Sequence, residues 1–204
     1  MKMSIDNPTL KGKRVVLSPP DDESISFLYR VELDISEKFL WTDERVIPDG
    51  YHFKDDFIRQ LKSYYHVFLM IYVADEKIPA GFIYSYNFNR TDGFLHSTIY
   101  VDKKYRSQFV GAEAGILFHD YLFQYYPLRK VYSTVFGYNQ TSLKFLLSAG
   151  FVIEGEFKQH RYYAGDYHSM FTLALYKDAF YQRCGVLLNS FKKIKKNKRG
   201  GVDG

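Results

Sequence analysis

The chain has 204 residues, of which 46% are hydrophobic and 19% aromatic, with one cysteine, Cys184. This composition excludes a disordered chain, a disulfide framework and a cysteine-based zinc site, so we expect no bound metal. Six of the cations lie in Lys192–Arg199, and without them the formal net charge changes from +5 to −1. The charge therefore gives no support for specific nucleic-acid binding. Because no secretory signal or bilayer-length apolar run is visible, we predict a cytoplasmic protein.

The N-terminal half is predicted to contain a short strand, two helices and then three strands. Arg14–Leu17 is the first strand, and it ends at Pro19-Pro20. Helical spacing covers Asp21–Leu40 and Phe53–Tyr65. The following strands are His66–Ala74, Gly81–Phe88 and Phe94–Val101. In the last of these, the side chains alternate, which puts Leu95, Ile99 and Val101 on one face and Phe94, His96, Thr98 and Tyr100 on the other.

The C-terminal half alternates helices and strands. A helix over roughly Gly111–Tyr126 carries an apolar stripe that leaves His119 and Asp120 on its outward side. The segments after it are a strand at Val131–Phe136, a helix at Gln140–Ser148, a hairpin of Phe151–Tyr162 with His168–Tyr176, and a last helix from Asp178 to about Lys196. This order indicates a mixed α/β sheet with helices on both faces.

Two loops that precede helices contain candidate ligand-binding groups. Tyr105–Ala114 joins a strand to a helix, and a helix N-terminus presents unpaired N–H groups to a phosphate. Arg106 and Gln108 add side-chain donors there, although an ordinary turn before a helix has the same appearance. Asn139 precedes the next helix, where it either caps the helix or reaches a ligand.

Taken together, these segments resemble the GCN5-related N-acetyltransferase (GNAT) superfamily, and within it the ribosomal-protein alanine and spermidine acetyltransferase branch. The resemblance is carried by Val101–Arg106, the helix start Gly111–Ala114, Asn139-x-x-Ser142, the segment Gly150–Gly155 and the turn Gly165-Asp166-Tyr167. It implies a mixed, mostly antiparallel sheet that splays between its fourth and fifth strands, Phe94–Val101 and Val131–Phe136. We expect residues 1–180 to form this domain, and residues 181–204 to form an amphipathic helix with a basic tail.

The resemblance implies acetyl-CoA as the acyl donor. Its pyrophosphate would lie on the N–H groups of Gln108–Glu113, and its pantetheine arm would run along Thr98–Val101, where a backbone N–H would polarise the thioester carbonyl. The predicted cofactor-binding residues are Ile99, Tyr100, Val101, Arg106, Ser107, Gln108, Phe109, Val110, Gly111, Ala112, Glu113, Asn139 and Ser142.

The predicted reaction is direct attack of a primary amine on the thioester, with a general base. His96 occupies the position that is often Glu in the branch, so it is the candidate base; the alternative is a half-buried histidine bonded within the sheet. The tyrosine that often protonates the leaving thiolate is replaced by Leu146, which leaves Ser142, Tyr138 or solvent for that role. Phe109 and Ser107 stand where the family usually has glycine. These departures keep open a catalytically degenerate module that binds CoA or a partner without turnover.

The acceptor is predicted to be a small-molecule, sugar or peptide amine. Aromatic residues suit such a site through stacking or cation–π contact, although each of them could equally belong to the core or to a homodimer interface. The predicted substrate-binding residues are Tyr84, Tyr86, Glu154, Tyr162 and Tyr163, and Glu154 has the alternative of a structural carboxylate. The last helix is predicted to pack on the domain or on a second subunit, and its basic tail to be solvated or to touch an anionic surface.

Overall fold

The computed structural model describes residues 8–42, 48–74, 78–106 and 108–197, with side chains described as far as Ser190. It contains eight strands and six α-helices within these residues. In chain order they are β1 (Leu10–Lys11), β2 (Val15–Ser18), α1 (Asp22–Leu33), α2 (Ile35–Lys38), α3 (Phe53–Ser63), β3 (Val67–Val73), β4 (Pro79–Asn89), β5 (Phe94–Val101), α4 (Val110–Tyr125), β6 (Lys130–Phe136), α5 (Gln140–Ser148), β7 (Val152–Tyr163), β8 (Asp166–Tyr176) and α6 (Lys177–Asn197). Among the described residues, no helix combines the length and the apolar character needed to cross a bilayer.

The eight strands form one sheet in the order β1-β2-β3-β4-β5-β6-β8-β7. Neighbouring strands are antiparallel except for β5 and β6, whose parallel pairing runs only from Phe94↔Lys130 to His96↔Tyr132. Beyond His96 the two strands part, while β5 stays paired with β4 as far as Val101. On the other side, β6 stays paired with β8 as far as Phe136. The predicted mixed, mostly antiparallel sheet with a splay between these two strands is confirmed.

The sheet separates two hydrophobic cores. Helices α4, α5 and α6 cover one face, and their buried residues pack with Leu95 of β5. Helices α1 and α3 cover the other face, where Tyr100 of β5 is buried. The alternation predicted for β5 therefore assigns Leu95, Ile99 and Val101 to one core and Tyr100 to the other, because successive residues of a strand point to opposite faces.

The prediction of one continuous helix over Asp21–Leu40 is wrong. Asp34 leaves the helical region with φ −80° and ψ 89°, so α1 ends there. Its carboxylate then accepts the Glu37 N–H and caps α2. An aspartate favours such a break, because its short side chain competes with the helix for backbone N–H groups.

The outward position predicted for His119 is also wrong. His119 is buried in the structure, with 8% of its surface exposed. Its ring lies 5.7 Å from that of Phe151 and 6.3 Å from that of Phe180 of α6. The apolar stripe of α4 indicated one buried face, but α6 covers a second side of the same helix.

Candidate functional site

The parting of β5 and β6 opens a cleft on the face of the sheet that carries α4, α5 and α6. A cavity of about 390 Å³ occupies this cleft. Seven elements, β4, β5, β6, β8, α4, α5 and α6, line it, with residues that include Ile99 of β5, Ala112 of α4 and Ser133 of β6. Where two strands part, their facing backbone groups lose their ladder partners and need another one. The cleft is therefore suited to an extended ligand that pairs with the strand edge.

The outer part of the cleft lies beside the first turn of α4. A Cβ placed on Gly111 would lie 3.3 Å from Val101 Cγ2 and 3.9 Å from Ile99 Cδ1, so this turn packs closely on the end of β5. Helical geometry provides no intrahelical acceptor for the N–H groups of Val110, Gly111 and Ala112. Glu113 differs, because its N–H donates to the Phe109 carbonyl at 3.0 Å. The three preceding N–H groups and the positive end of the helix dipole together favour an anion.

Phe109 adopts a left-handed backbone conformation immediately before α4. Its φ is 61° and its ψ is 8°, a region that favours glycine because a Cβ is crowded there. The ring is 68% exposed, and the Arg14 guanidinium lies 5.2 Å from its centroid. Phe109, which stands where the resemblance implies a glycine, thus occupies a backbone conformation that suits glycine.

The two predicted side-chain donors of the loop bond to the protein itself. Arg106 donates through Nε to the Val101 carbonyl at 2.9 Å and forms an ion pair with Glu37 of α2. Gln108 donates through its amide to the Lys104 carbonyl at 3.2 Å. Ser107, the third predicted residue here, lies outside the described residues. In this arrangement Arg106 links α2 to the loop before α4.

Glu113 has a structural role that the sequence did not indicate. Its carboxylate accepts the backbone N–H groups of Lys13 at 2.5 Å and Arg14 at 2.8 Å. The residue is 8% exposed, and a Cβ on Gly12 would lie 2.1 Å from its Oε1. The contact holds the first turn of α4 against the turn between β1 and β2. Glu113 and the residues that it binds are about a hundred positions apart in the chain, so no local pattern could have revealed the contact.

At the inner part of the cleft, three polar side chains form a buried cluster. His119 Nε2 lies 3.2 Å from Ser97 Oγ. Ser133 Oγ donates to the Ser97 carbonyl at 2.9 Å and thereby bridges β5 and β6 just past the last paired residues. Burial lowers the pKa of His119 to about 4, so its ring is neutral near pH 7. The sequence missed this cluster, because its one titratable member was predicted to face outward.

The junction between β6 and α5 attaches the chain after α2 to the cleft. Asn139 caps α5, because its Oδ1 accepts the Ser142 N–H at 3.1 Å. Its side-chain amide also donates to the Leu40 carbonyl at 3.0 Å. The Tyr138 hydroxyl donates to the Phe39 carbonyl at 2.5 Å. The capping alternative for Asn139 therefore matches the geometry, and the Tyr138 hydroxyl is bound to the segment after α2.

His96 lies on the other face of the sheet, beside the same point of parting. Its ring is 5.4 Å from that of Tyr86 and 5.3 Å from that of Tyr132. Burial lowers its pKa below the usual 6.5, which favours the neutral ring that a general base requires. The structure thus places a neutral imidazole next to the cleft, on the face opposite the cavity.

The predicted aromatic substrate residues are only partly brought together. Tyr86 lies beside His96, and Tyr163 stacks on Tyr138 with ring centroids 4.1 Å apart. Tyr162 is substantially exposed at the end of β7. Tyr84 is instead buried in the core with α1 and α3. A ligand could reach Tyr84 only if this core opened.

Glu154 is bound to three neighbouring side chains rather than directed into open space. Its carboxylate accepts from Lys130 Nζ at 2.7 Å, from the Tyr132 hydroxyl at 2.7 Å and from the Tyr176 hydroxyl. Burial acts to raise the pKa of Glu154, but these hydrogen bonds outweigh it and lower the pKa to about 2. The carboxylate is thus held as an anion whose charge Lys130 balances.

This combination of a splayed sheet and a helix N-terminus beside it is accompanied by a family match. Residues 21–172 match the family model described as an acetyltransferase (GNAT) domain, which is about three quarters of the chain. The chain belongs to the GNAT acetyltransferase family. No curated protein matches this GNAT sequence.

Solved structures of GNAT proteins share the fold at low sequence identity. A GNAT-family acetyltransferase from Bacillus anthracis is similar with TM-score 0.70 and 13% identity, over 84% of this chain and 99% of that one. Spermidine N-acetyltransferase from Vibrio cholerae, solved with CoA and spermine, gives TM-score 0.73 and 14% identity, over 82% and 98%. The Salmonella typhimurium acetyltransferase that modifies the N-terminal serine of ribosomal protein L7/L12 gives TM-score 0.67 and 16% identity, over 83% and 99%.

The cavity wall contains one residue that departs from the GNAT pattern inferred from the sequence. Leu146, which replaces the tyrosine that the resemblance implies, is buried and lines the cavity. It has no hydroxyl to direct at a ligand. The polar groups at that level are instead Ser97, Ser133 and His119, which belong to β5, β6 and α4.

Proposed function

We propose that this protein is an N-acyltransferase that uses acetyl-CoA or a related acyl-CoA to acylate a primary amine. The observation that carries the proposal is the cavity that runs from the first turn of α4 to the parted strands β5 and β6. It combines a helix N-terminus with the edge of β5 that has parted from β6. A CoA thioester needs both, because its pyrophosphate is anionic and its arm carries amide groups.

On the donor side, the chain would hold the ligand mainly with backbone groups. The N–H groups of Val110, Gly111 and Ala112 would take the pyrophosphate, while the edge of β5 from Ile99 to Val101 would pair with the arm. Acyl-CoA supplies an activated thioester when bound. A backbone N–H of β5 directed at the thioester oxygen would stabilise the charge that develops during attack.

On the acceptor side, His96 would act as the general base. It lies on the α1 and α3 face, opposite the cavity, so an amine that approaches from that face would pass it before reaching the parted strands. Its lowered pKa keeps the imidazole neutral and able to accept a proton, directly or through water. The proton removed from the amine balances the one that the released thiol requires.

The acceptor would be neutral or mildly polar apart from its amine. Glu154 is paired with Lys130 and Glu37 with Arg106, so these two carboxylates are already neutralised within the protein. The exposed and half-buried side chains on this face include Tyr86, Tyr132 and Tyr163. Aromatic rings suit a sugar, an aliphatic amine or a peptide terminus, whereas a polycation would also need carboxylates that are not already paired.

Titration calorimetry with acetyl-CoA, followed by thiol release in the presence of an amine panel, tests this proposal. We expect saturable binding and thiol release that depends on one class of amine. Replacement of Gly111 by valine should weaken binding, because the added side chain would crowd Val101 and Ile99. Gly185 on α6, where a Cβ would meet nothing within 4 Å, is the matched control. Absence of acetyl-CoA binding would refute the proposal.

A second candidate is a GNAT-fold module that binds CoA without turnover. The left-handed Phe109 and the cavity-lining Leu146 favour it, since both depart from the family pattern at the donor site. Tight CoA binding without thiol release for any amine in the panel would support this module. Amine-dependent release would exclude it.

A further inference from the structure

The cavity in the cleft has an outer part and an inner part with different chemistry. The outer part is bounded by the first turn of α4, the end of β5 and Phe145 of α5, whose Cζ would lie 3.9 Å from a Cβ on Gly111. Two turns along α4, at His119, the walls are the rings of Phe151 and Phe180. The cavity therefore continues past the level at which the strands part.

The inner part is apolar apart from the Ser97–His119–Ser133 cluster, whose members bond to one another. Its other walls include Leu146, Leu175, Phe180 and Cys184, all of which are buried. The one cation at the rim, Arg183, donates to the Ser148 carbonyl at 2.5 Å. An apolar space of this kind favours hydrocarbon over water.

Helix α6 forms one side of this inner part. The matched GNAT region ends at Thr172, and α6 begins at Lys177, so the helix lies outside the family model. It provides Phe180, Arg183, Cys184 and Leu187 to the cavity wall. The family match therefore does not include this wall.

We propose that the inner part, which we call the acyl chamber, seats the alkyl tail of an acyl-CoA whose acyl group is longer than acetyl. The chamber is defined by Leu146, Phe151, Leu175, Phe180 and Cys184. The inference rests on the proposed function, because that function places the CoA arm in the outer part and the thioester at the parted strands. The tail then continues inward past the polar cluster, while the carbonyl carbon stays open to the amine from the opposite face.

Calorimetry with unreactive S-alkyl-CoA thioethers separates tail binding from catalysis. We expect the Kd to fall from S-methyl-CoA to S-butyl-CoA by roughly fourfold for each methylene buried. With the substrates, kcat/KM should be higher for butyryl-CoA than for acetyl-CoA. An equal Kd across the series would overturn the proposal.

Substitutions at Cys184 locate the tail. Cys184→Leu fills the chamber and should abolish the gain for S-butyl-CoA while leaving the S-methyl-CoA affinity unchanged. Cys184→Met is a second filling variant with an unbranched, adaptable side chain, for use if the leucine variant melts early. Val186→Leu, on the exposed side of the same helix, is the matched control and should behave as wild type.

The outcomes distinguish this inference from the proposed function. If the filling variants weaken every thioether equally, the CoA arm itself occupies the chamber and the inference is wrong, although the acyltransferase remains. If wild type binds neither CoA nor any thioether, the proposed function fails and the acyl chamber fails with it.

Discussion

Phe109 offers a direct measurement of the strain in the loop that precedes α4. Its φ of 61° is a conformation that costs an L-residue about 1–2 kcal/mol relative to glycine. About 0.4–1 kcal/mol of this advantage is offset, because glycine makes the unfolded chain more flexible. Phe109→Gly should therefore be more stable than Phe109→Ala by about 0.5–1 kcal/mol. Both variants lose the ring and its contact with Arg14, so their difference isolates the Cβ.

Urea unfolding, with the two variants compared at equal m-values, measures this difference. In a thermal melt, it corresponds to about 1–4 °C for a chain of this size. The same pair of substitutions at Arg106, whose φ is −62°, is the matched control, and there alanine should be the more stable variant. If Phe109→Ala were as stable as Phe109→Gly, the positive φ would not be a source of strain and the reasoning would be refuted.

Three further predictions concern the base, the ion pair between Glu154 and Lys130, and the contact of Glu113 with the turn between β1 and β2. His96→Gln should lower kcat about a hundredfold or more with unchanged CoA affinity. Because burial lowers the pKa of His96, the acidic limb of the wild-type kcat/KM profile should lie below pH 6.5. A limb above that value would contradict the assignment. Glu154→Gln should lower the free energy of unfolding by about 1–3 kcal/mol at pH 7, because Lys130 loses its carboxylate partner. That difference should shrink in urea titrations as the pH falls from 4.5 towards about 2, where the wild-type carboxylate takes up a proton, and a constant difference would argue against the ion pair. Gly12→Ala should lower the free energy of unfolding by about 1–3 kcal/mol, because it displaces the Glu113 carboxylate, and by much less in a Glu113→Ala background. Simple additivity of the two substitutions in this double-mutant cycle would refute the contact.

The sequence alone determined the order of the elements from α3 to α6 and the sides of the central strand, whereas it missed β1 and the break between α1 and α2. The alternation in Phe94–Val101 separated the two cores correctly, because strand geometry has a strict period of two. The position of Asn139 in the sequence predicted a helix directly after it. Asn139 caps α5 in the structure, which is one of the two predicted alternatives. These features depend on neighbours in the chain, and local sequence encodes them.

Only the tertiary structure decided which polar groups meet. His119 of α4 meets Ser97 of β5 and is covered by Phe180 of α6, and a helical stripe cannot show a second covering element. Glu154 and Lys130 pair across strands that are not adjacent in the sheet, and Glu113 bonds to a turn about a hundred residues away. The acyl chamber has the same origin, since α5, Phe151, β8 and α6 meet to form its walls. Contacts of this kind follow from how the elements pack, and no spacing within a single element specifies them.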